Sequence, residues 1–267
     1  MRLVPRESDM LGRSILLSQF ALVAAVLVLW EFGPVDIALF SRPSVIAPRV
    51  IELWHGVVGM APLWRQVAET LGATLVGLSF GLILGYAAGV LLGEFDLLRE
   101  GLAPYLAAIN AVPRVAWVPV LTMVFGFGLL TKVVMSGLIV YMVVFFNVLD
   151  AATNAPEPLL RNVRALGGSR WSSVRDVRAW MGVGALVASL PNAIAFALVG
   201  VVFAESLAAE SGLGALMFNA THTGHATDLM VSAVMLALIG VVLALVVRLL
   251  QLALARRLPP EFAGVEQ

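Results

Sequence analysis

The sequence contains no cysteine and a single lysine, Lys132. The first absence excludes disulfides, thiolate metal sites and cysteine nucleophiles. The second leaves no room for a Walker A loop, because Lys132 follows Thr131 rather than glycine. Charge is scarce: Asp, Glu, Lys and Arg make up 13% of the 267 residues, where a soluble domain of this size carries roughly a quarter. Formal net charge is zero, so no basic surplus points to nucleic acid. The carboxylates are scattered through loops, and no Ser/His/Asp grouping has sequence support, so no catalytic constellation emerges. His222 and His225, three residues apart without a carboxylate partner, are a weak metal signal and read as solvated loop residues. No repeat of fixed period and no inverted hydropathy symmetry divides the chain, which reads as one domain over 1–267.

What is abundant is apolar sequence. Hydrophobic residues make up 60% and the mean hydropathy is +0.96, which identifies an integral membrane protein. A helical span needs about 20 apolar residues. Six are read, at about 14–30, 70–93, 104–126, 129–149, 181–203 and 229–250, giving an all-α, polytopic helical bundle. The first is short, but no small-residue cleavage site follows it and Glu7 and Asp9 dilute its basic flank, so it reads as an uncleaved anchor. Arg2, Arg6 and Arg13 precede the first span, and Arg248, Arg256 and Arg257 close or follow the last. The stretch 205–228 has no Lys or Arg, whereas the loop before it is rich in arginine. Positive charge therefore places both termini and the arginine loop on the cytoplasmic side. The region 31–65 then faces the opposite side, punctuated by Pro34, Pro43 and Pro48, with 46–57 as a short interfacial helix. Trp30, Trp54, Trp64 and Trp180 mark the interfaces.

The arginine loop, 154–178, is too patterned to be a mere connection. Arg161, Arg164, Arg170, Arg175 and Arg178 stand against the one acid Asp176 between 161 and 178. Pro158 suits the first turn of a helix. Leu159, Leu160, Val163 and Leu166 recur at helical spacing and put the arginines on the other face. Gly167 and Gly168 end that helix, and Ser169 caps a second short one beginning with Arg170 and Trp171. The expected product is a rigid, basic, aromatic-tipped knob.

On these residues the chain resembles the membrane subunits of binding-protein-dependent ABC importers, in the branch for nitrate, sulfonates, taurine, bicarbonate or pyrimidine precursors. Arg164, Leu166, Gly167, Ser169, Arg170 and Trp171 match that family's loop, which reads roughly Glu-Ala-Ala-Arg-x-Leu-Gly-Ala-Ser-Arg-Trp. Here Arg161-Asn162-Val163 stands in place of the Glu-Ala-Ala triplet, and the Leu-Pro pair that usually follows is replaced near Ala179-Trp180. The similarity runs from about Pro43 to Arg257 and includes 113–119, 125–128, Asn147, Ala204-Glu205 and 211–214. The resemblance implies a type I importer permease in a bacterial inner membrane, whose knob, with Gly168, is a coupling helix gripped by a cytoplasmic ABC ATPase dimer. It also implies a second permease subunit, identical or not, and a periplasmic or lipid-anchored substrate-binding protein. No cofactor belongs to this chain; ATP and Mg belong to the partner ATPase. The cargo implied is a small anionic or polar solute.

Two constellations lie within the spans. Gly77, Gly81, Gly85, Gly89 and Gly93 recur every four residues and form a ridge for close helix packing, or for sliding during transport. Pro113, Arg114 and Pro119 fall inside the third span, with Arg114 about ten residues from its start, roughly 15 Å deep. Backbone carbonyls freed by proline at that depth need protein or a watery cavity. An arginine there needs a partner or a pathway. Asn110, one turn away, favours a pathway lining, to which Trp117, Asn192 and Glu205 are added, although Glu205 suits helix packing and the outer gate better than substrate binding. The competing class is a stand-alone secondary transporter or channel, which would need buried ion-coupling carboxylates that the spans hardly hold.

Overall fold

The computed structural model describes residues 7–33, 40–208 and 211–255, with side chains of 7–17 and 255 outside that description. Arg2, Arg6, Pro34, Arg256 and Arg257, and the side chains of Glu7, Asp9 and Arg13, therefore lie outside the described residues. The order of helices is α1 (Glu7–Phe32), α2 (Pro43–His55), α3 (Leu63–Glu94), α4 (Asp96–Ala111), a 3₁₀ turn (Arg114–Ala116), α5 (Trp117–Phe125) and α6 (Leu129–Thr153). Then come α7 (Glu157–Ala165), α8 (Arg170–Ser173), a π turn (Val174–Arg178), α9 (Ala179–Ala208), α10 (Leu213–Thr223) and α11 (Ala226–Ala255). Among the described residues, α3, α6, the continuous stretch Arg170–Ala208 and Ala226–Leu254 are each long and apolar enough to cross a membrane. The described apolar part of α1, Ser18–Phe32, is shorter.

The third span expected at 104–126 is not one helix. It is α4 and the segment Arg114–Phe125, bent by 85°. Val112 adopts an extended conformation (φ −69°, ψ 127°) because the ring of the following Pro113 disfavours the helical region for its predecessor. A window of hydropathy averages over that break. Pro119 does no harm, since it sits in the first turn of α5, where no intrahelical N–H partner is required.

The α3–α6 contact organises the bundle. Gly77, Gly81, Gly85, Gly89 and Gly93 face Ser136, Val140, Val144, Val148 and Ala152, a second row at the same spacing of four. A Cβ at Gly81 would lie 2.5 Å from the Val140 Cβ and 2.8 Å from the Gly137 carbonyl oxygen, and one at Gly85 2.9 Å from the Tyr141 carbonyl oxygen. Only hydrogen allows these backbones to meet. Such contact drives helix association in lipid, where apolar burial gives no preference for protein over tails. Val140, Val144 and Val148 continue into a core with Ala193, Ile194 and Ala197 of α9 and Leu243 and Val247 of α11.

At one end of this pair lies a buried polar hub. Lys132 of α6 is 2% exposed. Its Nζ lies 3.2 Å from Oε1 of Glu205 and 3.7 Å from Oε2 of Glu69, and donates to the Ser211 carbonyl at 2.7 Å. Glu205 also accepts from the Thr70 hydroxyl and, at 2.9 Å, from the Gly214 amide. The Ser211 hydroxyl donates to Glu69. Gly212 threads this knot at φ +107°, and a Cβ there would fall on the Glu205 carboxylate. The hub ties α3, α6, α9 and α10 together. A second polar tie holds α2 to α11: Arg49 donates to both carboxylate oxygens of Asp228 at 2.7 and 3.0 Å. Those bonds, with help from Glu52, push the Arg49 pKa above its ordinary value and keep it charged. The expected interfacial helix at 46–57 is thus α2, starting three residues earlier. The expected loop 205–228 instead contains α10, with His222 inside it.

Two outcomes test this packing. Gly85→Leu should destabilise the protein by about 3 kcal/mol or more, whereas Gly72→Leu, on the same helix with nothing within 4 Å of its would-be Cβ, should stay within about 0.5 kcal/mol; thermal unfolding in detergent measures both. Lys132→Met should cost about 3–5 kcal/mol by stranding Glu205, and adding Glu205→Gln should recover part of that loss in the same assay.

Candidate functional site

The knob is built from α7, the glycine break, α8 and the π turn. Pro156 precedes α7 and Pro158 lies in its first turn. Leu160 is buried against Ala155 and Val177, with Leu159, Val163 and Met181 around them, so α7 rests on an apolar cushion. The two glycines have different tasks. Gly167 takes φ +79°, which an L side chain rarely adopts, while a Cβ on Gly168 would lie 2.7 Å from the Val163 carbonyl oxygen. The amides of Gly167 and Gly168 close the helix by donating to the Arg164 and Val163 carbonyls at 3.0 and 2.9 Å. Ser169 caps α8 through a reciprocal box with Ser172, both bonds 3.3 Å.

Three expectations for the loop are corrected. Leu166 does not extend the apolar face of α7: the helix ends at Ala165, and Leu166 is 89% exposed. The second helix is not a separate element, since Arg170–Ala208 is continuous through the π turn into α9. Arg178 does not share the solvent face with Arg161, Arg164, Arg170 and Arg175. It is buried, with Nε 2.7 Å from Oε2 of Glu94 and Nη1 on the Ala152 carbonyl oxygen. What the knob does present is Leu166, Arg170 and Trp171, the last 65% exposed. Arg161 and Arg164 lie 3.3 and 3.8 Å from Glu157.

The residues expected along a pathway fall into three places. Asn110, Arg114 and Trp117 come together in one crevice with Ile139 and Met142 of α6. There the Arg114 guanidinium lies over the Phe196 ring of α9, 4.9 Å from its centroid, a favourable cation–π position. Asn192, one turn from Phe196 on α9, lines a separate groove of about 300 Å³ with Ser189 and, from α6, Asn147 and Asp150. Glu205 lies elsewhere, its side chain wholly buried in the Lys132 hub, so it lines no open route in this conformation. Asn147 sits inside α6 and donates to the Val143 carbonyl. Sequence reasoning missed Lys132, Glu94 and the Asp150 side of the second groove. The signal for Lys132 was available: an ionisable residue in an apolar span is a functional candidate by default. The His222 ring lies tilted against Phe218, with centroids 4.2 Å apart, and His225 contacts the Thr223 hydroxyl at 2.8 Å. No group of three metal-ligating side chains occurs among the described residues.

Comparison with known proteins agrees with this architecture. The family described as binding-protein-dependent transport system inner membrane component matches residues 77–259. The riboflavin transport system permease protein RibX of Chloroflexus aurantiacus is 31% identical over 86% of this chain and 86% of its own length. The taurine transport system permease protein TauC of Escherichia coli is 26% identical over 96% and 93%, and the nitrate import permease protein NrtB of Leptolyngbya laminosa 24% over 79% and 74%. A chain of the MetNI methionine ABC transporter, solved in inward-facing conformations, superposes with a TM-score of 0.63 at 22% identity, covering 72% of this chain and 95% of that one. Its fold is shared. In this family ATP hydrolysis resides in a separate subunit and a binding protein delivers the solute, so the chain transports and performs no chemistry. The knob, the broken span and the glycine-packed bundle therefore belong to a transmembrane permease subunit of an ABC importer, a member of the binding-protein-dependent inner membrane transport components.

Proposed function

We propose that this permease carries a small anionic or polar solute, of the nitrate, sulfonate, taurine or pyrimidine-precursor kind, between two permease subunits that face each other across the route. Arg114 carries the reading. It is a guanidinium at a helix break in an apolar region, without a carboxylate partner among the described residues, held over Phe196 beside Asn110. A cation at membrane depth is costly unless it meets a partner or a route. Asn192 continues the polar lining one turn along α9. The second permease subunit, identical or not, covers the exposed faces of α4 and α5, where only Val118 is buried.

Both termini and the knob lie on the cytoplasmic side, as the arginine distribution favours. There Arg164, Leu166, Gly167, Gly168, Ser169, Arg170 and Trp171 form the contact with the ATPase dimer, in which ATP and Mg bind. Leu166 and Trp171 support this role, since two large apolar side chains exposed on a basic tip suit a docking surface. The binding protein, periplasmic or lipid-anchored, approaches from the side of α2 and α10.

Arg114→Ala should cut solute uptake several-fold while the complex assembles and binds ATP normally; unchanged uptake in reconstituted vesicles removes Arg114 from the route. Because the chain has no cysteine, Ser169→Cys gives a unique thiol. It should react with an impermeant reagent only from the cytoplasmic face and crosslink to the ATPase; labelling only from outside the cell overturns the orientation and the docking role together.

A further inference from the structure

We propose that Arg178 and Glu94 are positioning residues for energy coupling: their ion pair is the strut through which movement of the knob reaches the α3–α6 pair. The proposal rests on the knob being the ATPase contact. It adds the route by which force leaves that contact, through two residues that touch neither solute nor nucleotide.

The geometry carries it. Since α8 runs through the π turn into α9, a push on the knob acts directly on the root of a membrane span. Arg178 is the last residue of that turn, and its guanidinium reaches sideways to two other helices. Nε donates to Glu94 at the end of α3 at 2.7 Å, and Nη1 donates to the carbonyl of Ala152 near the end of α6. The two side chains are each 10% exposed. These helix ends meet each other at the last step of the glycine row, where a Cβ on Gly93 would lie 2.7 Å from the Ala152 Cβ. Arg178 therefore grips the paired helices where they act as one body.

The surroundings make the strut more than general packing. Between the knob and the turn joining α3 to α4 opens a cleft of about 1060 Å³, flanked by Arg164, Ser169 and Arg170 on one side and Asp96 and Leu97 on the other. The knob does not pack across that gap; Glu94 and Arg178 line it as the joined pair. A planar guanidinium holding two acceptors fixes direction as well as distance, which the apolar cushion under α7 does not. The π turn supplies the aim, because its wider winding alters which face Arg178 leaves from.

The test uses the whole importer with its ATPase and binding protein in vesicles, measuring solute taken up per ATP hydrolysed. Glu94→Gln removes the charge at constant volume, and Arg178→Lys keeps charge but loses the two-acceptor fork. In the complex that assembles, each should lower the ratio by about tenfold, the scale of a coupling free energy. The exchange Glu94→Arg with Arg178→Glu should restore part of it. An unchanged ratio in both single variants overturns the proposal, and so does a parallel fall of uptake, hydrolysis and assembled complex, which marks a purely structural pair. Failure of the docking role reads differently, as a Ser169→Cys thiol that never crosslinks to the ATPase.

Discussion

The contact on which the rest depends is the meeting of two backbones. Along α3 and α6, glycine faces serine, valine or alanine five times in succession, with would-be Cβ separations of 2.5–2.9 Å from the facing side chains or backbone at the four positions from Gly77 to Gly89. In lipid no hydrophobic drive holds helices together, so van der Waals contact over such a length is the main source of cohesion. Everything else is arranged around this two-helix slab. α9 and α11 pack on it through Ala193, Ile194, Ala197, Leu243 and Val247, and the broken pair α4–α5 lies outside it, nearly unburied.

α9 is pinned to the slab at both ends by charge. Near its far end Glu205 meets Lys132 of α6; at its root Arg178 meets Glu94 of α3. Burying ions is expensive unless each is fully paired, and both sites meet that condition with further bonds, to Ser211 and Gly214 at one end and to Ala152 at the other. Ion pairs are poor sources of net stability but good selectors of geometry. Placing them at the two ends, with apolar packing between, fixes the register of α9 on the slab.

The sequence revealed what periodicity and composition can carry. The glycine row was legible because a spacing of four survives in a helix, and its facing row needed no separate signal. The helix–glycine–helix knob was legible because Pro158, Gly167, Gly168 and Ser169 each have a local conformational reason to be there. Arg178 was not. In an arginine-rich loop it reads as one more topogenic charge, and the π turn before it breaks the 3.6-residue phase from which its face would be inferred. The broken third span was hidden for the opposite reason: hydropathy averaged across Val112 and Pro113 stays high while the chain turns by 85°. α10, eleven residues without Lys or Arg, looked like a loop because it is too short to span. Glu205 was noticed, but its partner Lys132 lies 73 positions earlier, and no local pattern links two residues so far apart.

The exposed tip of the knob has a consequence for the life of the subunit in the cell. On the docking role proposed above, a copy synthesised without its ATPase would carry Leu166 and Trp171 bare in the aqueous phase. Apolar surface of that kind invites aggregation and recognition by quality-control proteases. Orphan subunits should therefore be short-lived, so that partner supply sets the steady-state amount of permease.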